Sequence, residues 1–155
     1  MDLTIRVNRL LAEFANRSGL PALSLDADGV ATLLFDEQLH VTLVLLGGRD
    51  RLVMEANVAG LDTLGEGIFR QLASFNRRWY RFDLHFGFDE QTGQVQLYAQ
   101  LPAAELTLEN FERTLANLLD HAEFWQQLLP GHVCVPPPAA QPAGMRVAAR
   151  RAARQ

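Results

Sequence analysis

The chain has 155 residues, enough for one domain and a tail, and its 48% apolar and 21% charged content is ordinary for a globular protein. A single cysteine, Cys134, excludes an internal disulfide framework, and the longest strongly apolar stretch, Leu43–Leu46, is far too short to cross a bilayer. All 14 basic residues are arginines; Arg146, Arg150, Arg151 and Arg154 sit in an acid-free C-terminal segment, so the rest carries 18 acids against ten arginines, a net of −8 that disfavours nucleic acid as partner.

Taken in chain order, Leu3, Val7, Leu10, Leu11 and Phe14 recur at three- and four-residue spacing and predict an amphipathic first helix. Ser18-Gly19-Leu20-Pro21 ends it, with Gly19 able to take the left-handed cap conformation. Three strands follow between polar turns: Val30–Phe35, Leu39–Leu46 and Arg51–Val58, an antiparallel meander. Leu61, Leu64, Ile68, Leu72, Phe75 and Trp79 form the stripe of a second helix over Leu61–Trp79, and Thr63-Leu64-Gly65-Glu66 has capping-box spacing. Tyr80, Phe82, Leu84, Phe86 and Phe88 alternate with polar or small residues, which predicts a strand Tyr80–Phe88 continuing directly from that helix. Asp89–Gly93 turns into a paired strand bearing Val95, Leu97, Ala99 and Leu101 on one face. A third helix runs from about Thr107 to Leu128, with Glu109 and Glu112 in its first turn, where the macrodipole favours them. The order is α-β-β-β-α-β-β-α, an α+β domain over residues 1–129, and residues 130–155 read as a flexible Pro/Ala/Arg-rich tail.

Little here suggests catalysis. Ser18, Ser24 and Ser74 lie in no Gly-x-Ser-x-Gly elbow, and Cys134 falls in the tail. Asp83 and His85 share one strand face, too few ligands for a metal site. Gly47-Gly48 precedes a strand without phosphate-loop spacing and reads as a hairpin turn. No cofactor is expected. With no disulfide and no basic-then-apolar leader at the N-terminus, the cytoplasm is the expected compartment, without membrane insertion. Arg146, Arg150 and Arg154 fall at i, i+4 and i+8 and would share a face if helical, a possible contact for an acidic partner. The remaining signal is apolar surface. The aromatic unit Leu61–Phe88 suits either a core or a protein interface, and sequence pattern leaves both open.

The opening LLAEFANRSGLPALSLDADGVATLLFD, the element order, and a last hairpin followed by a helix ending in HAEFWQQLL together resemble the CesT/Tir-chaperone family, the class I chaperones of bacterial type III secretion. The resemblance covers about residues 1–128. It implies a homodimer without enzymatic activity that binds effector proteins in extended form. Carried onto this chain, the family's dimer contact implicates Ile68, Phe69, Leu72, Phe75, Trp79, Phe82, Leu84 and Phe86. The family's effector contact implicates Val7, Leu11 and Phe14 with Leu33, Phe35, Leu43 and Leu45. The Arg-ended tail departs from the family pattern and leaves room for a multi-effector, HpaB-like type that also meets the secretion ATPase. Two other readings are a regulatory protein of the same fold that sequesters a secretion or transcription regulator, and a small enzyme with an unrecognised site.

Overall fold

A computed structural model of the chain describes residues 2–60 and 64–129. The first helix, α1, spans Leu3–Arg17; Asp2 caps it by accepting the Thr4 N–H at 2.9 Å. At its other end Gly19 takes φ +67°, and the Leu20 N–H returns to the Ala15 carbonyl at 2.8 Å. That six-to-one closure satisfies a carbonyl the helix would leave unpaired, and it needs a residue free of the Cβ clash at positive φ.

The meander forms as expected: β1 is Val30–Phe35, β2 Leu39–Leu46 and β3 Arg51–Gly60, the third running slightly longer than the pattern indicates. The second helix, α2, is Glu66–Arg77, and the last hairpin pairs β4 (His85–Asp89) with β5 (Gln94–Pro102). A final helix, α3, spans Leu108–Leu128, with the Thr107 hydroxyl accepting the Asn110 N–H at 3.2 Å. All five strands join one antiparallel sheet in the order β1-β2-β3-β5-β4. The hairpin therefore enters the sheet with its second strand innermost. That strand buries Val95, Leu97, Ala99 and Leu101, whereas β4 is short and buries only Phe86, as suits an edge.

Register places Leu33 beside Val41, Leu43 beside Met54, and Ala56 beside Leu97, so one face of the sheet is continuously apolar. That face and the stripes of α1 and α3 make the core. Phe14 meets Phe111 edge-to-face at 5.1 Å, and Val7, Leu11, Leu115, Leu118 and Ala122 are fully buried. The alternate positions on the other face, among them Thr42, Val44, Val53, Glu55 and Asn57, are only half-buried. At roughly 25 cal/mol per Å², burying each large core side chain contributes about 2 kcal/mol.

The join between α2 and β4 differs from the expectation. The helix starts at Glu66 behind Gly65, which offers no side-chain cap; Leu61 and Thr63, and with Thr63 the expected capping box, lie outside the described residues. Nor does α2 run into a strand. It ends at Arg77, a 3-10 turn follows at Trp79–Arg81, Asp83 takes φ +53°, and β4 begins only at His85. Aromatic packing competes with strand extension here and wins. Phe82 folds back to stack on Phe75 (5.7 Å, 13° between planes) and to lie 4.7 Å from the His121 ring. The Phe82 carbonyl then accepts from the Asn117 side chain at 2.8 Å. Further ladder pairing would also have reached Pro102 at the end of β5, which has no N–H to offer.

Phe111→Ala, which removes a ring shared by α1 and α3, is expected to destabilise the fold by about 3–5 kcal/mol. Urea unfolding followed by circular dichroism checks this, and an unchanged midpoint would refute the assignment of that seam as the core's centre.

Candidate interaction surfaces

The aromatic residues of α2, the turn and β4 divide into an inner and an outer set. Phe75 is the hub of the inner set, 5.0 Å from Phe86 and 5.9 Å from Trp125, both edge-to-face. Leu72, Leu84 and Phe86 are buried with it, and Ile68 and Phe75 are half-buried. The outer set is solvent-exposed: Phe69 at 36%, Trp79 at 54%, Tyr80 at 63%, Phe82 at 43% and Phe88 at 48%. Phe69 and Phe88 pack edge-to-face at 5.4 Å, so the helix and the edge strand present one continuous apolar surface. Exposed aromatics in a contiguous patch are what protein interfaces use as anchors. Of the eight residues assigned to a dimer contact, Phe69, Trp79 and Phe82 reach this surface, whereas Leu72, Leu84 and Phe86 support it from within.

The residues assigned to effector contact require correction in one respect. Val7, Leu11, Phe14, Leu33, Phe35 and Leu43 are each no more than 1% exposed, and only Leu45 keeps partial access. Their apolar spacing is real, but it is spent inside the chain, where α1 and α3 close over the sheet. The accessible apolar surface beside α1 is instead a groove of about 480 Å³ between α1 and the start of α3. Leu10, Leu106 and Leu108 form its floor, and Arg6, Arg9 and Glu13 its rim.

Asn76 closes the edge of the sheet on the aromatic side. Its side-chain amide donates to the Phe86 carbonyl at 3.0 Å and accepts the Phe86 N–H at 2.7 Å. Both outward backbone groups of Phe86, the second residue of β4, are thus taken by a side chain that mimics a neighbouring strand. An edge strand treated in this way offers no continuous register for another chain. The same pair of bonds fixes α2 against β4.

On the open face of the sheet, Tyr98 stacks with His85 at 5.3 Å, and its ring lies over Gly87, where an added Cβ would come within 2.7 Å of it. Tyr98 donates from Oη to Gln96 at 2.6 Å, and Gln96 donates to Asn57 Oδ1 at 2.9 Å. Burial, followed by the charges of Glu55 and Asp89, pushes the Tyr98 hydroxyl up to about 12. Burial, and secondarily Asp89, raises Glu55 above the usual carboxylate range, while burial lowers His85 and keeps its ring neutral. This is a hydrogen-bonded amide and phenol network without a nucleophile. Asp83 lies outside β4 in the left-handed region and does not share a strand face with His85. Among the described residues no group of three or more His, Cys, Asp or Glu could hold a metal ion, and no helix is long and apolar enough to cross a membrane.

Arg146, Arg150, Arg151 and Arg154, assigned to a tail contact, lie outside the described residues, as do Cys134 and the tail itself. Pattern reading passed over Asn76, because one amide in a helix carries no signal until the strand it caps is located. It also passed over the Tyr98–Gln96–Asn57 chain, in which Gln96 and Asn57 are 39 residues apart and meet only through the β3–β5 register.

An antiparallel sheet backed by helices, with an apolar surface at one margin, defines a class of small protein-binding domain. The chain belongs to the Tir chaperone protein (CesT) family, whose model matches residues 9–126. It is 77% identical over 130 residues to the transcriptional anti-antiactivator ExsC of Pseudomonas aeruginosa strain PAO1, covering 84% of this chain and 90% of that protein. The crystal structure of the ExsC–ExsE complex contains a chain 74% identical, with a TM-score of 0.81 and coverage of 86% of this chain and 100% of that one. The HopA1–SchA chaperone–effector complex, at 20% identity, a TM-score of 0.71 and coverage of 80% and 95%, shares the fold.

Two consequences of this geometry are measurable. Asn76→Leu leaves both Phe86 backbone groups without their partner, at a cost of about 2–4 kcal/mol. Hydrogen exchange at the Phe86 amide should accelerate before that of β5, and unchanged protection would show that the clamp is dispensable. Folded Glu55 holds its proton to higher pH than the unfolded chain does, so its ionisation costs stability as pH rises through the carboxylate range. Glu55→Gln should therefore raise the melting temperature at pH 7, and the gain should vanish below about pH 4. A gain that is equal at both pH values would remove Glu55's charge as the cause.

Proposed function

We propose that this chain is a type III secretion chaperone that holds a segment of a partner protein in extended form, keeping it soluble and export-competent, without chemistry of its own. The observation that carries this reading is its high identity with ExsC, which has been solved in complex with ExsE. Physically, an unfolded segment gains main-chain hydrogen bonds and apolar contacts on a preformed surface and loses conformational freedom, so binding is specific and yet reversible. Asn76 leaves such a segment no continuous register at Phe86. The groove beside α1, with Leu10, Leu106 and Leu108, offers apolar contact where the buried stripe of α1 does not.

Self-association is the second part of the proposal. The outer aromatics Phe69, Trp79, Tyr80, Phe82 and Phe88 form the seam of a homodimer, each copy covering the other's exposed rings. The acidic body keeps other surfaces apart. An encounter with the secretion ATPase through the arginine-rich tail belongs to the same reading, as does a cytoplasmic location.

The naming of its relative as an anti-antiactivator favours a more particular version, in which the client is itself a regulator and binding it releases or withholds transcription. Co-expression with secreted proteins and with regulators of the same system, followed by co-purification, separates the two. A complex with effectors alone removes the regulatory version, and no complex with either class removes both.

For the dimer, Trp79→Asp with Phe82→Asp should shift sedimentation from dimer to monomer with circular dichroism unchanged, because charges would be desolvated at the seam. An intact dimer would move the seam elsewhere. Phe86→Asp should instead unfold the chain, since that ring is 6% exposed within it.

A further inference from the structure

At the end of the sheet away from the β4–β5 turn, a cleft of about 800 Å³ opens between the last residues of β5, the first half of α3 and the turn at Trp79–Arg81. Three guanidinium groups line it, from Arg51 on β3, Arg81 in the turn and Arg113 on α3. None of them pairs with a carboxylate among the described residues. Arg51 donates to the neutral Gln100 side chain at 2.7 Å, and Arg113 to the neutral Asn110 side chain at 2.7 Å. A guanidinium carries five N–H donors in a planar fork, so most of the donor capacity around the cleft is unspent. Asp83 and Glu105 also line the cleft, which leaves an excess of one positive charge, and His85 at its wall is kept neutral by burial. On a body whose net charge is −8, this is a local reversal of sign. The exposed rings of Trp79 and Phe82 supply an apolar wall beside the cations.

We propose that this cleft receives an extended acidic segment of a protein partner, with carboxylates on Arg51, Arg81 and Arg113. This rests on the reading of the chain as a binder of extended protein segments and names the chemistry of the segment at this place. Carboxylates accept the two parallel N–H bonds of an arginine fork, and such charge-assisted pairs are about twice as strong as neutral ones. A nucleic acid fits less well. Its unbroken phosphate row would run past Asp83 and Glu105 and across an acidic body, whereas a peptide can space its carboxylates to miss them. A second copy of this chain is the other occupant to exclude, since Trp79 and Phe82 also belong to the proposed seam; Arg51 and Arg113 lie outside it.

The test measures fluorescence anisotropy of the full chain with three labelled probes: a short synthetic peptide alternating Glu with Leu and Phe, the same peptide with every Glu replaced by Gln, and a single-stranded oligonucleotide. The acidic peptide should bind about tenfold tighter than its Gln counterpart, with the advantage falling as salt rises. Arg51→Gln with Arg113→Gln should abolish that advantage at an unchanged melting temperature, while Arg17→Gln, at the end of α1 and outside both the cleft and the groove, should preserve it. Equal affinity for the two peptides, tighter binding of the oligonucleotide, or a preference that survives the double substitution would overturn the proposal. So would conversion of dimer to monomer by the double substitution, which would place the second copy in the cleft. Client capture that persists without any peptide preference would sink only the cleft's assignment; failure of the unaltered chain to capture any client would sink the broader reading.

Discussion

A five-stranded sheet has one apolar face to bury, and α1 and α3 are the two helices long enough to do it. Their stripes meet at Phe14 and Phe111 and close over Leu33, Leu43, Met54 and Leu97. With most of the face filled, α2 enters the core only through Leu72, with Ile68 and Phe75 packed against its edge. It is held at the margin by Leu72, Phe75 and the two Asn76 bonds to Phe86, with its outer side turned to solvent. The exposed aromatics follow from that exclusion. The helices of the described residues cover one face of the sheet and leave an apolar surplus exposed at its margin.

The polar groups of the sheet's open face are arranged differently from the aromatic margin. Glu55, Tyr98 and His85 share that open face, where Tyr98 donates to the Gln96 amide, Gln96 donates to Asn57, and the His85 ring stacks on Tyr98. A phenol pushed up to about 12 is a hydrogen-bond donor at neutral pH and not a base. The accessible apolar area lies instead on the aromatic margin and in the groove beside α1. Binding of this kind draws on surface that is already rigid, so the ordering entropy falls on the partner segment alone.

Edge control is the third element. An open sheet invites indiscriminate strand addition, and here the invitation is withdrawn at Phe86 by one side chain. Asn76 satisfies a donor and an acceptor together, which Asp or Leu in its place would not do. The same residue fixes where α2 lies, and so couples the closure of the edge to the placement of the aromatic surface.

Much of this was legible in the sequence. Helical spacing in α1 and α3, alternation in β1, β2, β3 and β5, the Gly19 cap and the family itself all depend on residues near one another in the chain, where periodicity reports the backbone directly. The join between α2 and β4 was not legible, because alternation over Tyr80–Phe88 satisfied a strand pattern while the packing of Phe82 on Phe75 and His121 decided otherwise. Nor was the fate of Val7, Leu11, Phe14, Leu33, Phe35 and Leu43, since an apolar stripe reads the same whether its own chain or another covers it. By itself the sequence determined the elements, their order and their apolar faces. Only the tertiary structure decided which faces were sealed inside, which amide closed an edge, and which three arginines met around a cleft, because those depend on distances between residues far apart in the chain.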